Sequence, residues 1–306
     1  MMESMKLLAV AAVAALALPA ADTAARPVPP VLYVQGLACP AHGSCAGKPA
    51  YFDRIRKIAR VGFPSTPVSS GAFSDSHPEW SPDHTRIAFI RVSRNGLSYT
   101  LWTMQANGTG QRQITHGTEV TEEPSWSPDG RTIVFRGSAN GRTFDLFAIP
   151  AAGGAARNIT RNPAGFESLN PDWSPDGKQI VFQRLKTNSG AGTGLYTIRP
   201  DGTGLKRLTV GGMEPAWSPN GKKIAAVFPD PASGGRLEIY TVNANGTGRV
   251  RVTTGTETTS PAWSPGGTQI ACVRGSQIGV VSLGSGRVKQ VTRPLHGLAF
   301  VDTPAW

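Results

Sequence analysis

Along most of the chain, hydrophobic residues fall in short runs of four to seven positions, closed on each side by Gly, Asn, Asp or Pro. The runs return in one fixed order. A segment such as "EPSWSPDG" (123–130) leads into a first run: "RIAFIRV" at 86–92, "TIVFRGS" at 132–138, "QIVFQRL" at 179–185, "KIAAVF" at 223–228 and "QIACVRG" at 269–275. A polar, Gly-rich link follows. Then comes a second run: "LWTM" at 101–104, "LFAI" at 146–149, "LYTI" at 195–198, "IYTV" at 239–242 and "IGVV" at 278–281. A Gly turn, such as "NGTG" at 107–110 and 245–248, and a short basic run ending in Thr complete the unit. Runs of this length, rich in Val, Ile, Thr and aromatics, predict strands, and the Gly turns predict antiparallel hairpins.

The Trp of the motif stands at Trp80, Trp126, Trp173, Trp217, Trp263 and Trp306, with separations of 46, 47, 44, 46 and 43 residues. That period matches one four-stranded propeller blade. So small a sheet cannot bury both faces alone, so neighbouring units must stack. The predicted fold is all-β: a six-bladed β-propeller of four-stranded antiparallel blades. The Trp segment is the innermost strand of each blade, and the Trp side chains wedge between blades. Six Trp segments accompany only five complete repeats, and "PVLYVQG" (30–36) reads as the strand that should follow Trp306. One blade is therefore expected to be shared. The N-terminal strands, about 30–62, pair with the C-terminal strand ending at Trp306 and close the ring non-covalently.

The first residues change the picture of where the protein acts. Lys6 precedes the apolar run Leu7–Leu18, and small residues follow. The run is shorter than the ~20 residues of a transmembrane helix and predicts a signal peptide over 1–25; an uncleaved anchor is the alternative. A linker at 26–30 and the propeller over 31–306 complete the expected domains. The expected location is secreted, periplasmic or cell-envelope. Cys39 and Cys45, in "CPAHGSC", predict a short disulfide loop, which an exported protein permits; a metal pair with His42 lacks further nearby ligands. Cys272 lies in a strand pattern and is expected to be buried and inert.

The ordered elements "xPxWSPDG", "I-x-F", "LY-x-I/V-x-x-DG" and "LT", over about 63–306, resemble the TolB-like, WD40-like repeat family. The resemblance implies a six-bladed propeller and an exported protein-binding module; TolB itself belongs to a cell-envelope complex. Too few residues separate the expected signal from the first strand for the separate N-terminal α/β domain of TolB. Similar propellers precede the catalytic domain of some serine peptidases, but no G-x-S-x-G nucleophile elbow occurs in this sequence.

Candidate chemistry narrows quickly. The corner position after "SP" holds Asp83, Asp129, Asp176, Asn220 and Gly266. Charge is lost twice, while Asn keeps the side-chain-to-backbone bond of a turn and Gly accepts positive φ, so the position reads as a structural corner. The net charge is +11. Many of the cations, among them Arg112, Arg157, Lys206, Arg207, Arg249, Arg251 and Lys289, fall on the short last strand of each unit. There they protect an outer edge from association. They are dispersed and predict no nucleic-acid site; weak contact with anionic envelope polymers is expected, with "DRIRKIAR" (53–60) as the one tight cluster. Asn107, Asn158 and Asn245 head Asn-x-Thr sequons, but turn and strand chemistry accounts for their recurrence.

The acids are more informative. Ten of the 20 acidic residues lie in the segments leading into the Trp strands, including Glu79, Glu119 and Asp172. The residue before the Pro differs from unit to unit: His77, Glu123, Asn170, Glu214, Ser260 and Thr303. Variation at one polar rim position on a constant scaffold is the mark of a binding face. The expected funnel-mouth site comprises Asp75, His77, Glu122, Glu123, Glu167, Asn170, Glu214, Glu257, Asp302 and Thr303. Its expected partner is a protein or peptide, in particular a basic segment, bound by a monomer without cofactor or metal. The alternative is a propeller hydrolase or lyase using funnel carboxylates, although no spacing selects two of them and no catalytic residue is assigned.

Overall fold

The computed structural model describes residues 30–38, 51–58, 65–69, 73–93, 96–116, 120–138, 143–187, 192–255, 257–275, 277–285, 287–290 and 301–305. The expected signal peptide, the Cys39–Cys45 loop and Trp306 lie outside these residues. Among the described residues no helix is long and apolar enough to cross a membrane.

Among the described residues the strands form four sheets of four antiparallel strands and one of eight, which divides into two four-stranded antiparallel units, consistent with six blades. Blade 1 is built from Val301–Ala305, Val31–Ala38, Tyr51–Ile58 and Thr66–Pro67, in that spatial order. Its inner strand comes from the C-terminal end of the chain and pairs with the first N-terminal strand, Val34 opposite Asp302 and Gln35 opposite Val301. This shared blade closes the ring. Blades 2 to 6 follow in sequence, with inner strands Ser74–Trp80, Val120–Trp126, Phe166–Trp173, Met213–Trp217 and Thr259–Trp263. One parallel bridge, Tyr99 to Val120, ties blade 2 to blade 3.

The second strands read as continuous apolar runs because both of their faces are covered. In Arg86–Val92, Ile87 and Phe89 pack with Leu32 and Ile55 of blade 1, while Ala88 and Ile90 pack with Ile133 and Phe135 of blade 3. The motif Trp of blades 3 to 6 leans back onto the preceding blade: Trp126 on Leu101 and Ile114, Trp173 on Val134 and Leu146, Trp217 on Leu195, Trp263 on Val227 and Ile239. Cys272 is buried in this packing, and burial pushes its thiol up to about 12.

The corner motif is a hydrogen-bonded turn. Ser127 Oγ donates to Asp129 Oδ1 (2.6 Å) and accepts from Thr132 N (2.9 Å), and Asp129 Oδ1 also accepts from Arg131 N (3.0 Å). Asn220 does the same work in blade 5, accepting from Ser218 Oγ and Lys222 N. The outer strands of blades 2 to 5 are only two residues long. Just beyond each, the Thr that closes the unit supplies the missing ladder bond: Leu101 N donates to Thr115 Oγ1, Leu146 N to Thr160 Oγ1, Leu195 N to Thr209 Oγ1 and Ile239 N to Thr253 Oγ1.

Candidate functional site

Each inner strand carries a Pro, which has no N–H for the ladder. The register shifts there in blades 2 to 6. The residue before the Pro takes up the extra length in a left-handed conformation: φ is 47° at His77, 54° at Glu123, 50° at Asn170, 51° at Glu214 and 52° at Ser260. Such conformations cost non-glycine residues on the order of 1–3 kcal/mol and persist only where the surroundings hold them. A bulge of this kind re-aims side chains. Here these five residues, with their prolines and Glu79, line a cavity of 290 Å³ at the channel mouth. Beyond the prolines the channel continues as a second cavity of 310 Å³, lined in part by Glu79, Ser125, Asp172, Ala216, Ala262 and Ala305.

Two mouth carboxylates reach sideways to the next blade. Glu123 Oε2 accepts from the backbone N–H of Asn170 and Glu214 Oε2 from that of Ser260, both at 2.6 Å. Burial raises the pKa of Glu123, against the lowering effects of Arg136 and the Asn170 N–H. Deeper in the channel, Asp172 Oδ2 accepts from Trp217 N (2.5 Å) and its Oδ1 from Ser125 Oγ (3.2 Å). Burial pushes Asp172 up to about 6 despite these bonds. These carboxylates fasten blade to blade.

Glu79 is different. It lines both cavities and makes no hydrogen bond or ion pair among the described residues. Burial, with the Asp172 carboxylate adding repulsion, pushes it up to about 8. It was not among the residues expected at the mouth, although it directly follows the Pro of blade 2.

The remaining expected residues are placed as follows. Asp75 is fully buried away from the mouth, paired with Arg91 at 2.7 Å. Simple alternation puts Asp75, His77 and Glu79 on one face, but the register shift between Ser76 and Glu79 inserts one residue and turns Asp75 to the face opposite Glu79. Glu122 pairs with Arg136 at 2.6 Å, and Arg136 also stacks on Phe144. Glu167 is half-buried and Glu257 exposed; neither lines the cavities. Asp302 and Thr303 lie on the inner strand of blade 1, their side chains outside the description.

A model of the TolB beta propeller domain matches residues 63–213. Over 81 residues, 26% of this chain, the sequence is 35% identical to the Tol-Pal system protein TolB of Legionella pneumophila (strain Corby). Over 96 residues, 30% of this chain, it is 35% identical to the uncharacterized peptidase YuxL of Bacillus subtilis (strain 168). The matched stretches span only 19% and 15% of those relatives' own lengths. Among solved structures, TolB from Acinetobacter baumannii superposes with a TM-score of 0.68 at 22% identity, over 91% of this chain and 66% of that one. An oligogalacturonate lyase in complex with manganese gives a TM-score of 0.54 at 15% identity, over 77% and 74%. At these identities the structural likeness is one of fold, which many functions share.

Proposed function

We propose that this β-propeller, whose residues 63–213 match a model of the TolB beta propeller domain, is a binding and scaffold module of the cell envelope, taking a basic segment of a partner protein into the channel mouth. The observation that carries this reading is Glu79. It is a carboxyl group with no hydrogen-bond or ion-pair partner among the described residues, in a cavity whose other acids, Glu123 and Glu214, are already bonded to backbone. A Lys or Arg side chain entering the mouth supplies the missing charge, and the lining of His77, Asn170 and Ser260 supplies polar contacts around it. The relatives named as Tol-Pal system proteins support a protein partner and an envelope setting, as does the signal peptide read over residues 1–25.

Binding of a cation is linked to the ionisation of Glu79. Empty, the carboxyl keeps its proton up to about pH 8. A bound cation favours the ionised form, so capture releases a proton and strengthens as pH rises toward that value. Capture from an envelope extract by the protein and by Glu79→Gln, read by mass spectrometry, tests the proposal. The expected result is a partner retained by the wild type and depleted by the variant. Identical retention by both contradicts it.

A second reading has one observation in its favour. Carboxylates whose environments push their pKa values apart can divide acid and base roles, and Glu79 and Asp172 stand at about 8 and about 6. A hydrolase or lyase acting in the funnel should then lose turnover, with KM unchanged, in Glu79→Gln. The bonds from Trp217 and Ser125 to both Asp172 oxygens favour the binding reading instead.

A further inference from the structure

Blades 2 and 4 place an arginine among aromatic rings at the same register position, but its polar partners, Asp75 and Gln111 in blade 2, have no counterpart in blade 4. In blade 2, Asp75 on the inner strand lies opposite Arg91 on the second strand. The guanidinium forks onto the carboxylate, Nε to Oδ1 at 2.7 Å and Nη2 to Oδ2 at 2.9 Å, and stacks near Phe73 and Trp102. In blade 4 the same register places Ser168 opposite Arg184. The arginine remains and its acid is gone.

Arg184 is held as if the acid were still present. Its Cζ lies 4.5 Å from the centre of the Phe166 ring and 5.6 Å from that of Tyr196. On the third strand its register partner is Gly194, which has no side chain to cover it. Among the described residues the guanidinium makes no hydrogen bond or ion pair, and its Nε is buried without an acceptor. The acid whose charge Arg184 feels, Asp145, is committed elsewhere: it accepts from Asn158 Nδ2 (2.8 Å), Thr160 Oγ1 (2.7 Å) and Asn162 N (2.8 Å). Ser168 Oγ accepts from Asn162 Nδ2 (2.9 Å) and offers Arg184 no charge. A second cation, Lys186, stands with its Nζ 5.9 Å from the centre of the Phe166 ring. A half-buried guanidinium without an anion is costly, and burial lowers its pKa.

We propose that Arg184, with Lys186 and the faces of Phe166 and Tyr196, forms an anion site on blade 4 that takes the carboxylate of a ligand, supplying from outside the charge that Asp75 supplies in blade 2. The chemistry is a bidentate carboxylate on a planar fork between aromatic rings. An acidic side chain and a sugar acid both carry that group. The site lies on a blade, apart from the residues that line the channel mouth, and stands independently of what the mouth binds.

Titration calorimetry tests it with three probes: an N-acetylated, C-amidated Gly-Glu-Gly peptide, its Gln counterpart, and digalacturonate. The wild type is expected to bind one of the two carboxylate probes at millimolar concentration and the Gln peptide at least about tenfold more weakly, the weight of a lost charge-assisted fork. Preference for the peptide identifies a protein ligand, and preference for digalacturonate a uronate. Arg184→Met should lose about tenfold, while Lys206→Met, which removes an exposed cation on the same blade, should change nothing. Ser168→Asp rebuilds the blade 2 pair internally. It should raise the melting temperature and abolish probe binding, so it tests the site even if Arg184→Met folds poorly. No binding of either carboxylate by the wild type, or undiminished binding by Ser168→Asp, overturns the proposal.

Discussion

At Glu214 a carboxylate that faces the channel is engaged with the backbone N–H of Ser260 in the next blade. Truncating it to Ala leaves that donor without its partner, and Glu214→Ala should cost about 1–3 kcal/mol, read as a lowered urea midpoint with an unchanged m-value. Asp129 makes the opposite case. Because Asn220 already closes the same corner in blade 5, Asp129→Asn should be nearly neutral, while Asp129→Ala should lose about 1 kcal/mol. Glu79 has a signature in pH. Its pKa moves from an ordinary 4.5 to about 8 on folding. Below pH 4.5 the carboxyl is protonated in both states. Between there and about pH 8 the unfolded chain releases the proton and the folded one keeps it, so stability falls as pH rises. Glu79→Gln removes this loss. The stability difference between variant and wild type, measured by urea unfolding, should grow across that window and level off above it.

At the scale of the strand and the turn, packing between blades sets the tolerances. Gly246, at φ 86° in the hairpin of blade 5, sits against the carbonyl of Leu208 in blade 4, where any Cβ collides. Gly246→Ala therefore loses both a permitted conformation and the fit between blades. It should destabilise by more than the ~1 kcal/mol of an ordinary left-handed Gly-to-Ala change, as measured by thermal unfolding. Strands, hairpins and their order were legible in the sequence because period and turn chemistry are local. Which face an acid occupies was not. Asp75, His77 and Glu79 stand two residues apart, and simple alternation puts all three on one face. The bulge before Pro78 sends Asp75 to Arg91, a partner visible only once two strands are in register. The carboxylate bonds of Glu123 and Glu214 were hidden for a related reason, since their acceptor role depends on the backbone of the next blade. Glu79 had one local signal, its place immediately after the Pro on the same inner strand as His77.

For the whole molecule, closure rests on the pairing of Val301–Ala305 with Val31–Ala38. The repeat count made that shared blade readable in the sequence, whereas the bonds that tie Glu123, Glu214 and Asp172 to neighbouring blades required the closed ring. The same ring brings five side chains of four chemical kinds to one mouth, with Glu79, which makes no hydrogen bond or ion pair among the described residues, below them. A titration of the protein with a short arginine-containing peptide, its citrulline counterpart and the Glu79→Gln variant, repeated at pH 6 and pH 8, tests the proposed binding mouth most directly. Tighter binding of the arginine peptide, strengthening toward pH 8 and lost in Glu79→Gln while Glu79→Gln stays folded, is the expected result. Equal affinity for arginine and citrulline, or an arginine affinity that survives the loss of Glu79, contradicts it.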